Sequence, residues 1–183
     1  MRIRGRLRVS LALLLGTVAA GLLTPGANAQ TPEFIPLSQG SFPSLASTWQ
    51  ANAVAPNTVL LDLYDDEGIL YQTYSTVFEP PSKRTVTATG QRPLGLPTVE
   101  ALVGGAAGKR VKTVKIFFAG APIQKVRTIR PPAEWGFSGR FFAAGATVAE
   151  TSAGTTQVVT RIKALDGRGR LLSQITNIFT NPF

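Results

Sequence analysis

The sequence predicts an all-β protein, arranged as an antiparallel β-sandwich or, as an alternative, as a small β-barrel. Short runs rich in β-branched and aromatic residues recur along the chain, and turns that contain Gly, Pro or Asp separate them. No long segment has the roughly 3.6-residue apolar period of an amphipathic helix, and no repeat of about 20–50 residues is present. Many short strands between such turns are typical of packed antiparallel sheets.

Residues 1–29 are typical of a cleavable signal peptide. Several arginines precede an apolar stretch from Leu11 to Leu23, and Ala27 and Ala29 place small side chains before a predicted cut after Ala29. As a helix the apolar stretch is roughly 20 Å long, whereas a bilayer core is about 30 Å thick. We therefore expect a signal-peptide helix that is removed, no stable membrane span after processing, and a secreted or periplasmic protein that begins at Gln30.

Composition is consistent with one exported bacterial domain. Removal of the signal peptide leaves 154 of the 183 residues, which is the size of a single domain with an adequate core. The chain has no cysteine, so disulfides do not supply its stability, and an export signal without cysteine suits a bacterium. The net charge of +9 falls to +5 when the four arginines of the signal peptide are lost, so the domain is mildly basic.

The first elements of the processed chain are an extended arm and a hairpin. Residues 30–43 contain three prolines and are predicted to be an extended amino-terminal arm, with a single β-sandwich domain over residues 44–183. Residues 58–64 alternate between apolar and polar side chains, and the sequence from Asp65 to Gly68 is typical of a turn. Residues 69–78 are rich in β-branched and aromatic residues and are predicted to return as the second strand.

The middle of the chain is predicted to contain four strands, one short helix and one loop. The predicted strands are residues 85–89, 112–118, 123–129 and 141–148. Residues 98–103 are predicted to be a short helix, with Thr98 as its cap and Gly104 as its stop. Residues 104–110 contain three glycines, Lys109 and Arg110, but the glycine spacing does not match a phosphate-binding loop. We therefore expect a flexible loop there and no nucleotide.

A second hairpin is predicted at the carboxyl end, where residues 157–165 and 170–179 flank an Asp-Gly-Arg-Gly turn. The two hairpin segments are VLLDLYDDEGILYQ and VTRIKALDGRGRLLSQ. Each resembles the hairpins of immunoglobulin-like and fibronectin type III-like domains of secreted bacterial proteins: an alternating apolar strand, an Asp-and-Gly turn and an apolar return. The resemblance covers roughly 40 residues, lacks the Cys–Trp–Cys framework of immunoglobulin domains, and implies a fold class without an active site.

The sequence excludes much of enzyme chemistry. With neither histidine nor cysteine, the chain has no catalytic triad of the Ser–His–Asp type, no thiol nucleophile and no usual zinc, haem or iron–sulfur site. Catalysis by paired carboxylates remains possible. The alternative function is therefore a small carbohydrate-active hydrolase, in which Glu134 beside Trp135 would be one of the two carboxylates. The acidic residues 65–67 could ligate calcium, but three adjacent acids are typical of a turn. We expect no catalytic residues, metal or cofactor.

The segment around Gly120 predicts a cationic hairpin. With Gly120 at its centre, Val114 lies opposite Val126 and Lys115 lies opposite Lys125, with Arg127 on the same face. Like charges that face each other destabilise a sheet unless they splay into water, pair with carboxylates or meet an anionic partner. The hypothesis is a non-enzymatic binding module for an anionic glycan or another envelope polyanion. The alternative is an edge hairpin that its lysines protect from aggregation.

Two further hypotheses concern surfaces. Trp135 lies between prolines and a glycine, so it is predicted to be a loop aromatic that could stack on a sugar ring. Core or partial burial is expected for most of the other large aromatic residues, among them Trp49. The segment from Ile175 to Phe179 ends the chain near a possible sheet edge, and it could make the protein a self-assembling surface subunit. The sequence alone does not decide the oligomeric state.

Overall fold

The structure is a computed structural model that describes residues 33–42, 46–91, 98–149, 158–178 and 180–181, all within the compact unit Thr31–Phe183. The predicted signal peptide, residues 1–29, lies outside the described residues. The all-β prediction is confirmed across the described ranges. In chain order the strands are β1 Phe34–Phe42, β2 Ser47–Val54, β3 Thr58–Tyr64, β4 Leu70–Val77, β5 Val86–Gln91, β6 Thr98–Ala107, β7 Thr113–Phe118, β8 Gln124–Arg127, β9 Arg140–Ala149, β10 Val159–Leu165, β11 Leu171–Ile178 and β12 Thr180–Asn181.

The strands form three four-stranded sheets. The first sheet is the meander β1-β2-β3-β4, the second has the order β12-β5-β6-β9, and the third has the order β11-β10-β7-β8. Neighbouring strands are antiparallel except for β12, which pairs with β5 in parallel. The described helical structure is the short 3-10 turn Ala133–Trp135, and no helix in these ranges is long and apolar enough to cross a membrane.

The second sheet lies between the other two, because both of its faces are buried. On one face Leu102 and Phe141 pack with Leu61 and Leu63 of the first sheet. On the other face Val103, Phe142 and their neighbours pack with side chains of the third sheet, among them Val114, Ile116 and Ile162. Successive side chains of a strand point to opposite faces. Consecutive buried residues such as Phe141 and Phe142, both 0% exposed, therefore identify a strand with a core on each side.

Two sequence predictions fail in this middle sheet. Residues 98–103 are not a helix, because they belong to the ten-residue strand β6. Residues 104–107 belong to the same strand, so this part of the predicted flexible loop is a strand as well. A strand that is buried on both faces loses the alternation of apolar and polar residues and reads as a continuous run. In β6 that run consists of Ala, Leu, Val and Gly, which favoured a helix and a loop when the segment was taken alone.

The extended segment predicted for residues 30–43 is a paired strand where the structure describes it. Phe34–Phe42 is β1, the edge strand of the first sheet, and it pairs with β2 through a bulge between Pro36 and Ser38. Proline is tolerated at a sheet edge and next to a bulge, where a missing N–H leaves no ladder hydrogen bond unmade. Pro36 therefore fits a strand as well as a free arm. The strand β2, which contains the buried Trp49, was not predicted.

The two predicted hairpins form, and both turns are built in the same way. Asp65 Oδ1 accepts hydrogen bonds from the backbone N–H groups of Glu67 and Ile69. Asp166 Oδ1 accepts hydrogen bonds from the N–H groups of Arg168 and Arg170. Each turn continues into a glycine with positive φ, +80° at Gly68 and +78° at Gly169, a conformation that an L side chain rarely adopts.

The carboxylate of Asp166 makes the stability of its hairpin depend on pH. The backbone and side chain of Arg170 and the backbone of Arg168 lower the pKa of Asp166 below its ordinary value of 3.8. A carboxyl group with a lowered folded-state pKa stabilises the fold above its ordinary pKa, and this contribution is lost as the pH falls through the folded-state value.

We expect Asp166→Asn to be less stable than the unmodified protein at pH 7, with a difference that shrinks as the pH falls below 3.8. Urea denaturation at a series of pH values measures the difference. Asp66→Asn is the matched control, because Asp66 is exposed in the first hairpin turn. A difference for Asp166→Asn that grows towards low pH would contradict the assignment.

Candidate functional site

The hairpin β7–β8 has the predicted register. Val114 lies opposite Val126, Lys115 opposite Lys125 and Thr113 opposite Arg127. The turn between the strands contains Gly120 with a φ of 67°. Along β7 the buried residues Val114, Ile116 and Phe118 alternate with partly exposed ones. Lys115 therefore lies on the outer face of the third sheet, together with Lys125 and Arg127.

The neighbouring strand β10 extends this cationic surface. Lys163 lies opposite Lys115, and Arg161 lies opposite Phe117. Lys163, Lys115 and Lys125 therefore form a row across three adjacent strands, and at about 4.8 Å between strands the row is roughly 10 Å long. We call this surface the cationic face and define it as Lys115, Lys125, Arg127, Arg161 and Lys163, with Phe117 between them.

An aromatic ring holds one cation of this face in place. The guanidinium carbon of Arg161 lies 4.0 Å from the centroid of the Phe117 ring, and Lys163 Nζ lies 5.6 Å from it. Attraction between a cation and the face of an aromatic ring orients the side chain without neutralising it. Arg161 Nε is buried and has no hydrogen-bond partner among the described residues. The face therefore combines a guanidinium held against an aromatic ring with the ammonium groups of three lysines.

The cationic face has no compensating carboxylate among the described residues. The ion pair in the described ranges joins Arg170 Nε and Asp166 Oδ2 at 2.8 Å, and it lies in the β10–β11 turn. Like charges directly opposite each other on a sheet destabilise it, and here two such pairs share Lys115. The arrangement is suited to an external anion that carries several charges, such as a chain of carboxylate or sulfate groups.

Protection of a sheet edge accounts for only part of this surface. Lysine on an edge strand discourages pairing with another chain, and β8 is an edge strand that carries Lys125 and Arg127. Lys115 lies on β7, and Arg161 and Lys163 lie on β10, and both strands have paired neighbours on each side. Their positive charges protect no edge, so they need another explanation.

Trp135 does not occupy the predicted position. Its side chain is 8% exposed and packs in the same cluster as Phe137 and Phe141. The 3-10 turn brings the ring inwards, while the neighbouring Glu134 stays exposed. Trp135 is therefore a core residue in this structure and not an exposed platform for a sugar ring. Trp49 is 4% exposed, as predicted for a core residue.

The acidic residues do not gather into a metal site in the described ranges. No group of three potential metal ligands is found there. One carboxylate oxygen of Asp65 accepts hydrogen bonds from the backbone of its own turn, at 3.1 Å from the Glu67 nitrogen and 2.7 Å from the Ile69 nitrogen. The acidic turn therefore has the structural role that adjacent acids at a hairpin tip usually have.

Residues 175–178 of the carboxyl-terminal segment form the last half of the edge strand β11. Ile178 is buried, and Ile175 packs against the core cluster between the second and third sheets. Phe179 lies outside the described residues. The apolar side chains of this segment thus contribute to the core, while the backbone of β11 forms one border of the third sheet.

Sequence reasoning found three of the five cations of the face. Arg161 and Lys163 were not among the predicted site residues, because their position beside Lys115 depends on the pairing of β10 with β7, which no local pattern specifies. Comparison of the chain with protein families, with curated proteins and with solved structures gave no significant match. The geometry of this surface is therefore the basis for a functional proposal.

Proposed function

We propose that this protein is an exported, non-enzymatic binding module of the bacterial envelope or the extracellular space, and that its cationic face holds an anionic glycan or another envelope polyanion. The observation that carries the proposal is the row of Lys163, Lys115 and Lys125 on three adjacent strands. Two of these lysines lie on interior strands, and the described carboxylates leave all three without an ion pair.

The shape and chemistry of the face support a polymeric ligand. A sheet surface is shallow, so it contacts an extended chain along its length and does not enclose a small molecule. Phe117, which is half-buried among the cations, offers an apolar surface beside them. Arginine and lysine bind sulfate and carboxylate groups through charge-assisted hydrogen bonds. Electrostatic attraction also speeds the first encounter with a polyanion, most strongly at low salt concentration.

Two parts of the proposal rest on the sequence. Export to the periplasm or beyond follows from the signal peptide in residues 1–29, which brings the processed domain into contact with envelope glycans. Kinship with immunoglobulin-like or fibronectin type III-like domains follows from the two Asp-and-Gly hairpins. Such domains commonly serve as binding modules, and a role without catalysis agrees with a chain that has no histidine or cysteine.

Heparin chromatography tests the proposal. We expect the triple variant Lys115→Ala/Lys125→Ala/Arg127→Ala to elute at a clearly lower salt concentration than the unmodified protein. Each contact between a cation and a polyanion releases counterions, so the slope of log K against log salt should fall by about 0.9 for each lost contact if heparin behaves like duplex DNA. A titration at several salt concentrations gives this slope.

A control with the same loss of charge separates the face from the net charge. Lys83, Arg110 and Arg168 are exposed and lie outside the cationic face, and replacing all three by alanine also removes three positive charges. This variant should elute close to the unmodified protein. Equal shifts for the two triple variants, or no shift for either, would show that the cationic face is not a binding surface.

A further inference from the structure

A second basic site, separate from the cationic face, lies in a cleft between the β6–β7 turn and the segment that joins β8 to β9. The cleft has a volume of about 430 Å³, and four basic side chains line it: Lys109, Lys112, Arg130 and Arg140. This volume falls within the range of roughly 300–1,000 Å³ that is typical of small-molecule sites. Lys112 precedes Lys115 by three residues, so the cleft begins about 10 Å along the chain from the lysine row.

Arg140 is the fixed element of the cleft. Its Nε donates a hydrogen bond to Thr128 Oγ1 at 2.6 Å, and its Nη2 donates one to the Thr128 carbonyl at 2.7 Å. The Thr128 hydroxyl donates in turn to the carbonyl of Val111 at 2.8 Å. Thr128 is 4% exposed, so this chain of hydrogen bonds anchors Arg140 to the protein interior. The edge of the guanidinium formed by Nη1 and Nη2 stays available for a ligand.

The charges in the cleft are not balanced within the described part of the chain. None of the four basic side chains makes an ion pair with a described carboxylate. Burial, together with the nearby positive charge of Arg130, lowers the pKa of Arg140. A guanidinium that is held beside another cation in this way is stabilised by an anion that contacts both.

The remaining lining favours a compact oxyanion with an organic part. Ser138 is exposed at the cleft and brings a hydroxyl group that can donate a hydrogen bond. Phe137 forms an apolar wall, and its ring stacks on Phe141 with 4.4 Å between centroids. A bidentate arginine, exposed lysines and a hydroxyl together match the oxygens of a phosphate group.

We propose that this cleft is a binding site for a phosphate group, either free or as a phosphomonoester. Arg140 binds two phosphate oxygens through the guanidinium edge formed by Nη1 and Nη2. Arg130 and Lys112 neutralise the negative charge of the phosphate that Arg140 leaves uncompensated. Lys109 covers the group from the β6–β7 turn. The site is independent of the cationic face, because it uses none of the same residues and takes a discrete anionic group instead of a polymer.

Isothermal titration calorimetry with inorganic phosphate, in a phosphate-free buffer of low ionic strength, tests the site. The double variant Lys112→Ala/Arg130→Ala should bind phosphate at least about tenfold more weakly than the unmodified protein, because each change removes a charge-assisted hydrogen bond. Both side chains are exposed, so their replacement by alanine should leave the fold intact. Thermal denaturation of the double variant verifies this.

The matched control is Arg110→Ala/Arg168→Ala, which removes the same charge from exposed positions that do not line the cleft. Arg110 is the direct neighbour of Lys109 in the β6–β7 turn. Phosphate affinity in this control should stay within about twofold of the original. The proposal is overturned if the unmodified protein does not bind phosphate, if the cleft variant binds it equally well, or if the control loses as much affinity.

Two further measurements identify the form of the ligand and separate the two sites. Phenyl phosphate places a ring against Phe137, so tighter binding of phenyl phosphate assigns the cleft to phosphomonoesters, and tighter binding of inorganic phosphate assigns it to the free anion. The triple variant of the cationic face, Lys115→Ala/Lys125→Ala/Arg127→Ala, should keep its affinity for phosphate. Loss of heparin binding with phosphate binding intact shows that the two sites succeed or fail independently.

Discussion

Phe141→Ala and Phe142→Ala should each lower the free energy of unfolding by about 3–5 kcal/mol, the usual cost of removing a fully buried phenylalanine side chain. The two residues are neighbours on β9, and both are 0% exposed. Phe141 packs between the first and second sheets, and Phe142 packs between the second and third. Each substitution therefore leaves a cavity in a different core, on opposite faces of one strand.

Urea denaturation followed by circular dichroism measures both costs. In a sheet with one solvated face, one of two consecutive residues faces water, and its replacement costs little. Tyr71→Ala is a suitable control, since Tyr71 is an aromatic residue of β4 that is 49% exposed. We expect this control to change stability by less than about 1 kcal/mol. A similarly small cost for either Phe141→Ala or Phe142→Ala would contradict the burial of β9 on both faces.

The parts of the fold that sequence reasoning predicted are those that local chemistry specifies. The hairpins β3–β4 and β10–β11 each contain an alternating strand and a turn in which an Asp carboxylate caps backbone N–H groups. A glycine with positive φ completes each turn. In the hairpin β7–β8 the position of Gly120 was enough to fix the register, because it places the apolar Val114 opposite the apolar Val126, which are buried and partly buried respectively.

The strands β5 and β9 of the middle sheet were predicted, but the strand between them, β6, could not be predicted in the same way. The strand β6 is flanked by β5 and β9, and its two faces contact two different sheets, so its environment is set by residues that are distant in sequence. Gly105 illustrates this dependence. A Cβ atom at Gly105 would collide with the ring of Phe142 and with the carbonyl oxygen of Thr87. The glycine that suggested a loop therefore allows two neighbouring strands to approach closely.

The residues of the candidate site also fall into two groups, those placed by local sequence and those placed by pairing between distant strands. Lys115, Lys125 and Arg127 share one hairpin, so their common face followed from the register of that hairpin alone. Arg161 and Lys163 join them only because β10 pairs with β7, a contact between distant parts of the chain. Trp135 was assigned to the surface because its neighbours are prolines and glycine, but a 3-10 turn packs its ring against the core instead.

Lys115→Glu should stabilise the protein and weaken its binding to polyanions at the same time. Lys115 lies directly opposite Lys163 on one side and Lys125 on the other. A glutamate at this position converts two repulsive cross-strand pairs into two attractive ones. Because each such pair contributes roughly 0.2–1 kcal/mol, we expect the free energy of unfolding to rise by about 0.5–2 kcal/mol.

The same substitution places a negative charge in the middle of the proposed binding surface and lowers its total charge by two. Elution from heparin should therefore shift to a lower salt concentration than for any single alanine substitution on the cationic face. Urea denaturation and heparin chromatography of one preparation measure both effects. Lys115→Gln, which removes the charge without reversing it, should give intermediate values in both measurements.

The same charge reversal at Lys83, Lys83→Glu, is the control, because Lys83 is exposed and lies outside the cationic face. It should leave both the free energy of unfolding and the elution from heparin nearly unchanged.

If Lys115→Glu raises stability and weakens binding, the two opposite changes have one explanation. A row of like charges, two of them on interior strands, lowers the stability of the fold, so its presence is explained by a partner that compensates the charge. If Lys115→Glu is less stable than the original, or elutes at the same salt concentration, the repulsion within the row is negligible or the row does not bind the polyanion, and the proposed function loses its main support.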